Sequence, residues 1–386
     1  MPARSPLLSW LAVVSVMLGI FVIVTTEILP IGLLTSIGSS FVISDGMAGL
    51  MMTMPGFLAA IAAPLATVVT GRVDRRVMLA AFVLLLALAN FLAAVASGYW
   101  LMLVSRVLVG ITIGGFWSIG AGLAGRLVPV ESVPRATAVI FAAVPLGSVL
   151  GVPLGTFVGG LAGWRTAFLA MGILTLGVFG LLVAVVPPLP AERATNLRML
   201  TGTLRVSRLA VALTFIIVLA HFGAYTYVTP FLEQVSAGLI TIYLLTYGVA
   251  GIAGNFIAGS TVTRHPRATF ATAATMIATA TLLLPLLGTT DPGAVVLLIL
   301  WGTAYGAVPV CSQTWFAKAA PNSPEASSVL FTASFQATLS LGALTGGVIV
   351  DHSSPATVMT LAGLTALLLV PAVARRPAQA GSNVRS

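Results

Sequence analysis

Three ionisable side chains stand in segments otherwise built from apolar residues. Glu27 lies in "VIVTTEILPIG", Arg106 in "LVSRVLVGITIGGFWSIGAG" and His221 in "HFGAYTYVTPFL". A carboxyl, a guanidinium and an imidazole are the groups that bind, repel and pass on protons. Burial opposes ionisation of a carboxyl, and a nearby cation favours it. A carboxyl exposed alternately to two compartments can therefore load a proton on one side and release it on the other. Glu27 is the one acid deep within an apolar run; the other eight lie at predicted loops or helix ends. Pro30 follows three residues later and has no N–H to offer the Thr26 carbonyl. The acid is thus predicted to sit beside a weakened turn with an unpaired acceptor. Two readings stay open for Glu27: a proton carrier, or a permanently protonated group bonded to a neighbouring helix. His221 divides in the same way, between a group titrating near physiological pH and a neutral histidine bonded to a neighbour.

The elements holding these residues follow from composition. The chain has 386 residues, 58% hydrophobic and 7% charged, with a mean hydropathy of +1.09. Soluble domains carry about 25% charged residues, so there are too few charges here to cover a water-facing surface. A membrane β-barrel would alternate apolar and polar residues over about 10 positions. The apolar runs here extend for roughly 20, the length of a spanning helix. The expected fold is an all-α membrane protein with helices at 8–36, 46–70, 76–97, 99–125, 134–160, 164–187, 207–232, 239–262, 267–288, 292–318, 325–350 and 354–374.

Basic residues orient the twelve spans. With the N-terminus inside, the cytoplasmic segments hold Arg4, Arg72, Arg75, Arg76, Arg126, Arg135, Arg193, Arg198, Arg205, Arg208, Arg264, Arg267, Lys318, Arg375, Arg376 and Arg385. The outer loops hold only Arg165. This is the bias of the positive-inside rule. It places both termini in the cytoplasm. It also explains the net charge of +9 as a topology signal, which argues against a nucleic-acid partner. The first apolar run continues past Thr35 and reads as a retained helix, not a cleaved signal. One cysteine, Cys311, excludes internal disulfides and any Cys-rich metal site.

The longest polar segment, "LPAERATNLRMLTGTLRVSRL", divides the chain into a bundle of six helices at 1–188, a cytoplasmic linker at 189–206, a second bundle at 207–376 and a tail at 377–386. Faint marks recur across that divide. Gly71 with Arg76 matches Gly259 with Arg264, 188 residues on, and Gly159-Gly160 matches Gly346-Gly347, 187 on. A parallel six-helix repeat is expected.

Helix five reads "PLGSVLGVPLGTFVGGLAGWR", with Gly147, Gly151, Gly155 and Gly159 every fourth residue. Such a stripe lets another helix approach closely, and Pro145 and Pro153 can bend it. Helix four repeats the step with Arg106, Gly110, Gly114, Ser118 and Gly122. Arg106 therefore shares a close-packed face, where a charge needs a partner or a cavity; it serves either coupling or helix-carbonyl bonding. The "GRVDRR" loop, with Gly71, Asp74 and Arg75, is a topology anchor, or a gate if Asp74 meets a helix N-terminus or an arginine. Asn90, Trp117, Tyr225, Asn255, Trp301, Tyr305, Gln313 and Gln336 are candidates to line a cavity. The alternative for Tyr225 and Tyr227 is the interfacial aromatic belt.

"LVSRVLVGITIGGF" resembles the helix-four signature of the major facilitator superfamily, and "GSVLGVPLGT" its helix-five antiporter motif. "GRVDRR" resembles its loop between helices two and three, without the usual second glycine. With "TEILPIGLL", "GGFWSIGAGLAGRLVP", "GWRTAF" and "HFGAYTYVTPFL", the whole chain is similar to the bacterial twelve-span drug:proton antiporters, and within them to arabinose and purine-ribonucleoside efflux permeases, which implies a place in the bacterial inner membrane. The resemblance implies two six-helix bundles, related by a pseudo-twofold axis, around a central cavity. It implies an alternating-access antiporter, with proton influx driving small organic, drug-like molecules out, and hence multidrug resistance. It also implies proton coupling by Glu27 and Arg106, with His221 a further candidate, and a monomer without cofactor or metal. Sugar or nucleoside efflux is the nearest alternative, with Asn90, Asn255, Gln313 and Gln336 as hydrogen-bonding groups. An enzyme is disfavoured: His221, His265 and His352 are scattered, and neither HExxH nor Gly-x-Ser-x-Gly occurs. No span carries the repeated polar residues of a channel, and no phosphate-binding loop serves a nucleotide-driven pump.

Overall fold

The computed structural model describes residues 5–69, 73–120, 123–190, 197–321 and 323–374, and these are almost entirely helical. In chain order the helices are α1 (Pro6–Phe41), α2 (Asp45–Val69), α3 (Arg75–Ala94), α4 (Tyr99–Gly120), the short α5 (Ala124–Leu127), α6 (Val133–Ala162), α7 (Trp164–Val185), α8 (Leu197–Val206), α9 (Arg208–Tyr225), α10 (Val228–Ser236), α11 (Ile240–Thr261), α12 (Pro266–Leu287), α13 (Asp291–Ala319), α14 (Pro324–His352), α15 (Pro355–Leu367) and α16 (Leu369–Ala374). Among the described residues, eleven apolar stretches are long enough to cross a membrane. One of them, Arg208–Thr261, has 54 residues. At about 1.5 Å per residue it is far longer than a bilayer core of about 30 Å. It is α9, α10 and α11, folded back at the turn Ala237–Leu239, which brings the crossings to twelve.

Three spans differ from the uniform helices expected. The fourth, expected over 99–125, ends as α4 at Gly120, and Leu123 lies outside a helix before α5 begins at Ala124. The seventh crossing is broken between α9 and α10. Pro230 cannot donate to the carbonyl of Thr226, and the chain turns at Thr226 and Tyr227 before resuming. The twelfth is interrupted between α15 and α16. The linker also holds an unexpected helix: Leu200 of α8 packs against Ala326, Val329 and Leu330 of α14.

Packing repeats between the halves. In the first, α2 packs on α4, α1 on α6 and α3 on α7; in the second, α11 packs on α13, α9 on α14 and α12 on α15. Lipid tails are as apolar as leucine, so these contacts rest on close approach and hydrogen bonds. A Cβ on Gly110 or Gly114 would lie 2.4 Å from the Pro55 carbonyl oxygen or 2.6 Å from that of Ala59. On Gly302 or Gly306 it would lie 2.1 Å from the Tyr247 carbonyl oxygen or 2.0 Å from that of Gly251. Each second-half residue follows its counterpart by 192 positions, not by the 188 suggested by Gly71 and Gly259. Gly71 itself lies outside the described residues. The other mark agrees with the pairing: Gly159 meets Leu33 of α1, and Gly346 meets Gly223 of α9.

Each half has its own apolar core, one centred on α1, α3, α4 and α7 and the other on α9, α12 and α13. Outward faces carry exposed Leu161, Phe256 and Leu286, as befits a surface solvated by lipid. The two ends of the bundle differ in charge. Arg75, Arg76, Arg126, Arg135, Arg208, Arg264, Arg267 and Lys318 stand at one, the basic end; Asp45, Glu233, Asp291 and Asp351 stand at the other, the acidic end.

Candidate functional site

A cavity of about 530 Å³ lies between the halves. Its first-half wall comes from α1, α4 and α6, with Glu27, Trp117, Phe141 and Ser148; its second-half wall comes from α9, α13 and α14. On α13 the lining residues Tyr305, Pro309, Gln313 and Ala317 step by four, and on α14 Ser328, Thr332 and Gln336 do the same. Each stripe is one face of a helix. Aromatic rings make the second-half wall continuous: Phe222 is 5.8 Å from Tyr305 and 6.1 Å from Phe335, and Phe331 is 5.5 Å from Phe335.

The cavity runs from Glu27 and Phe222 at mid-depth to Ala320, Pro321 and Ser327 at the basic end, and it opens there. Towards the acidic end the halves are fastened together. Asp351 of α14 accepts from Ser44 Oγ at 2.7 Å and from the Gly46 N–H at 2.9 Å. Glu233 of α10 accepts from Thr35 of α1 at 2.6 Å. Thr241 and Thr156 hydroxyls meet at 3.1 Å, and Thr229 donates to the Ile31 carbonyl at 2.8 Å. Nearer the middle, Ser340 donates to the Thr53 carbonyl at 2.7 Å.

Glu27 is 6% exposed and faces this cavity. Its Oε1 accepts from Gln336 Nε2 at 2.8 Å, so the deepest acid of one half is bonded directly to the other half. Arg106 is 1% exposed. Its Nη2 donates to the Thr26 carbonyl at 2.8 Å, the oxygen that Pro30 leaves without a helical donor. Arg106 also lies close enough to Glu27 for the two charges to act on each other. Asn90 donates to Thr26 Oγ1 at 3.1 Å. Arg106 Nε and Asn90 Oδ1 are shielded from solvent without a partner. A network with such loose ends is costly in a low dielectric.

The α6 glycine stripe sets α1 in place. Gly147 faces Val24, Gly151 faces Thr25, Gly155 faces Leu29 and Gly159 faces Leu33; these flank Glu27 along the helix. Pro153 is buried within the same helix. From the other side, a Cβ on Gly32 would lie 2.5 Å from Thr156.

His221 lies outside the cavity, in an aromatic box behind it. The Trp301 indole N–H donates to His221 Nδ1 at 3.1 Å. An indole can only donate, so Nδ1 is an acceptor and the ring proton is on Nε2, facing the Tyr247 hydroxyl at 3.5 Å. Tyr305 stacks on the imidazole with centroids 3.5 Å apart and planes 6° apart.

Among the eight residues expected to line the cavity, Trp117, Tyr305, Gln313 and Gln336 do so. Asn90, Tyr225, Asn255 and Trp301 do not. Asn90 is committed to Thr26 and the Leu86 carbonyl. Asn255 reaches towards the Gly306 carbonyl at 3.4 Å, within the α11–α13 packing. Trp301 and Tyr225 wall the histidine box. Neither Tyr225 nor Tyr227 belongs to an interfacial belt, since both are buried and Tyr227 donates to the Ala343 carbonyl at 2.7 Å. Asp74 does meet a helix N-terminus, its own: it caps α3 by accepting from the Arg76 N–H at 2.8 Å. Its neighbour Arg75 donates its backbone N–H to the Leu189 carbonyl at 2.8 Å, tying this loop to the end of the first half. Phe222, Phe331 and Phe335 are not marked out by their chemistry; on α14 the four-residue steps Phe331, Phe335, Leu339 and Thr332, Gln336 are the signal that could have found the last two, and nothing comparable marks Phe222 on α9. Among the described residues no group of three His, Cys, Asp or Glu could hold a metal.

Comparison with known proteins accords with this architecture. A model of the Major Facilitator Superfamily matches residues 16–343. The chain is 30% identical over 377 residues to the purine ribonucleoside efflux pump NepI of Salmonella enteritidis PT4 (strain P125109), covering 95% of this chain and 94% of that protein. The human organic anion transporter MFSD10 superposes with a TM-score of 0.70 at 17% identity, over 96% of this chain and 100% of that one. A bacterial homologue of the human lysosomal transporter Spinster, in an inward-facing and unoccupied conformation, gives 0.72 at 15% identity, over 96% and 95%.

Proposed function

The chain belongs to the Major Facilitator Superfamily and is a multi-pass membrane transporter. On that premise we propose that it exports purine ribonucleosides, or small solutes of the same build, in exchange for protons. The carrying observation is the Glu27–Gln336 bond at 2.8 Å, which puts the one deep carboxyl in the cavity and on the seam between the halves.

The cavity chemistry supports the solute class. A purine ribonucleoside is a flat aromatic base joined to a hydroxylated sugar. Phe222, Tyr305, Phe331 and Phe335 offer ring faces, and stacking of a base on an aromatic side chain contributes about 1–3 kcal/mol. Gln313, Thr332 and Ser148 supply donors and acceptors for ring nitrogens and hydroxyls. The relative named as a purine ribonucleoside efflux pump points the same way. This favours the nucleoside alternative over the drug-like substrates first expected.

By the positive-inside rule the basic end is cytoplasmic, so the cavity is open to the cytoplasm. In the proposed cycle a nucleoside enters there and its donors compete with Gln336 for the Glu27 carboxylate. The fastenings at the acidic end then part as the basic end closes, and the solute leaves. A proton from outside takes its place on Glu27 and is released to the cytoplasm after the return. Arg106, held by Thr26, keeps a positive charge near the carboxyl, and His221 holds the aromatic wall in shape without carrying the proton.

Proteoliposomes with an acidic interior test this. Proton exit should drive uptake of radiolabelled inosine, and guanosine should compete. Glu27→Gln should lose gradient-driven uptake and keep inosine counterflow. Uptake indifferent to the gradient would sink the proton coupling. Ethidium uptake without any for inosine would return the reading to drug export.

A further inference from the structure

A second concavity opens at the basic end, where the starts of α9 and α12 meet the end of α13. It is a groove of about 610 Å³. It shares no lining residue with the central cavity: on α13, Gln313 and Ala317 face the cavity, whereas Trp315 and Lys318 face the groove. Part of its lining is apolar, with Leu209 and Ala210 beside the Trp315 ring. The rest is basic, from Arg267 and Lys318, with His265 next to them. Among the described residues, none of these three side chains has a hydrogen-bond or carboxylate partner. The acids of the basic end whose side chains are described, Asp74 and Glu131, belong to the other half. The start of α12 adds to the field, since His265 makes no side-chain cap and leaves the N–H groups of Arg267 and Ala268 without one.

Uncompensated cations on a membrane protein draw an anion, and those near a bilayer surface contribute about 1 kcal/mol each towards anionic lipid. The groove lies at the ends of three spans, at the level of the headgroups. Its lining passes from basic to apolar. A soluble phosphate would use the cations and leave the apolar lining wet; a phospholipid matches both. We propose that this groove binds the phosphate headgroup of an anionic phospholipid. Arg267 and Lys318 take the phosphate oxygens, and Leu209 and Trp315 meet the glycerol and the first part of the acyl chains. The lipid thereby lies on the back of α13, the helix whose other face lines the cavity.

The full chain, purified in a neutral detergent, is titrated with dioctanoyl phosphatidylglycerol, with dioctanoyl phosphatidylcholine and with sodium phosphate, and its apparent Tm is followed. Phosphatidylglycerol should raise Tm saturably, and the other two should leave it in place. In Arg267→Gln/Lys318→Gln the half-saturating concentration should rise on the order of 30-fold (about 2 kcal/mol at 1.4 kcal/mol per tenfold), with the lipid-free Tm unchanged. Arg267→Lys/Lys318→Arg should bind as the native chain does. If the neutralised pair does not fold, Lys318→Gln alone should show a rise on the order of fivefold. Equal shifts from both lipids, or an unchanged titration in the neutralised variants, overturn the proposal. A shift from sodium phosphate equal to that from phosphatidylglycerol assigns the groove to a soluble anion and overturns it too.

Discussion

The guanidinium of Arg106 donates to the carbonyl of Thr26 at 2.8 Å, the oxygen that would have accepted from residue 30 had that residue not been Pro30. One helix lacks a donor, and the other supplies it from a charge that would otherwise be stranded in the membrane interior. The two anomalies stabilise each other, one residue from Glu27.

This pairing makes a double-mutant cycle informative. Arg106→Leu should cost about 1–3 kcal/mol of thermal stability, the penalty for an unmade buried hydrogen bond. Adding Pro30→Ala, which restores the helical donor, should recover part of that loss. Transport should stay lost in both. Additive stability changes in detergent would show that the Thr26 carbonyl is not what Arg106 serves.

The acidic-end fastening should set how often the closed side opens. Asp351→Ala removes an acceptor of two hydrogen bonds, and bonds to a charged group contribute about 1.5–3 kcal/mol each. An impermeant maleimide applied from that end should label a cysteine at Thr53 (Thr53→Cys) at least about tenfold faster in the Asp351→Ala background. The lone native thiol, Cys311, is buried and adds little background. Equal labelling rates would mean that the fastening does not govern access.

For His221 the expected role is architectural. Trp301→Phe strands Nδ1 and should lower stability by about 1–3 kcal/mol. His221→Asn, which keeps an acceptor, should leave the pH profile of inosine transport in place, though the rate falls. A pH profile flattened by His221→Asn would reassign the proton to the imidazole.

Glycine substitutions should sort by what lies opposite. Gly114→Ala and Gly306→Ala press on backbone oxygens 2.6 and 2.0 Å away, and each should cost about 1–3 kcal/mol by overpacking. Gly160→Ala meets nothing within 4 Å and should gain up to about 1 kcal/mol from helix propensity. Melting temperatures decide, and a uniform effect at all three sites would refute the packing account.

Much of this was legible in the sequence because a membrane imposes simple rules. Twenty apolar residues make a span, and a loop rich in arginine marks an end, so eleven of the twelve helix starts fell within one residue and all but three spans ran unbroken. Glu27 and Pro30 announced themselves by type. What stayed hidden was direction. Asn90 and Gln336 are both lone amides in apolar helices, yet one turns to Thr26 within its own half and the other crosses to Glu27. Composition carries no sign of which way a helix is rotated about its axis; that depends on which glycines the neighbour presents. The break before α10 has its signal in Pro230, but a proline marks a weakened turn without saying whether the helix bends there or stops. Helix α8 was missed because it is only 10 residues long and interleaves its apolar residues with Arg and Thr, so it lacks the long apolar run that marks a span.

The packing offset of 192 residues has a last consequence. It sets Leu298, fully buried, at the place in the second half that Arg106 holds in the first. The frame is doubled but the ionisable groups are not: Glu27 and Arg106 belong to one half, and Gln336, through which the other half meets Glu27, carries no charge. Charge-assisted hydrogen bonds are roughly twice as strong as neutral ones. In the proposed cycle a proton arriving on Glu27 therefore loosens the join from one bank only, and the opposite bank needs no chemistry of its own to feel it.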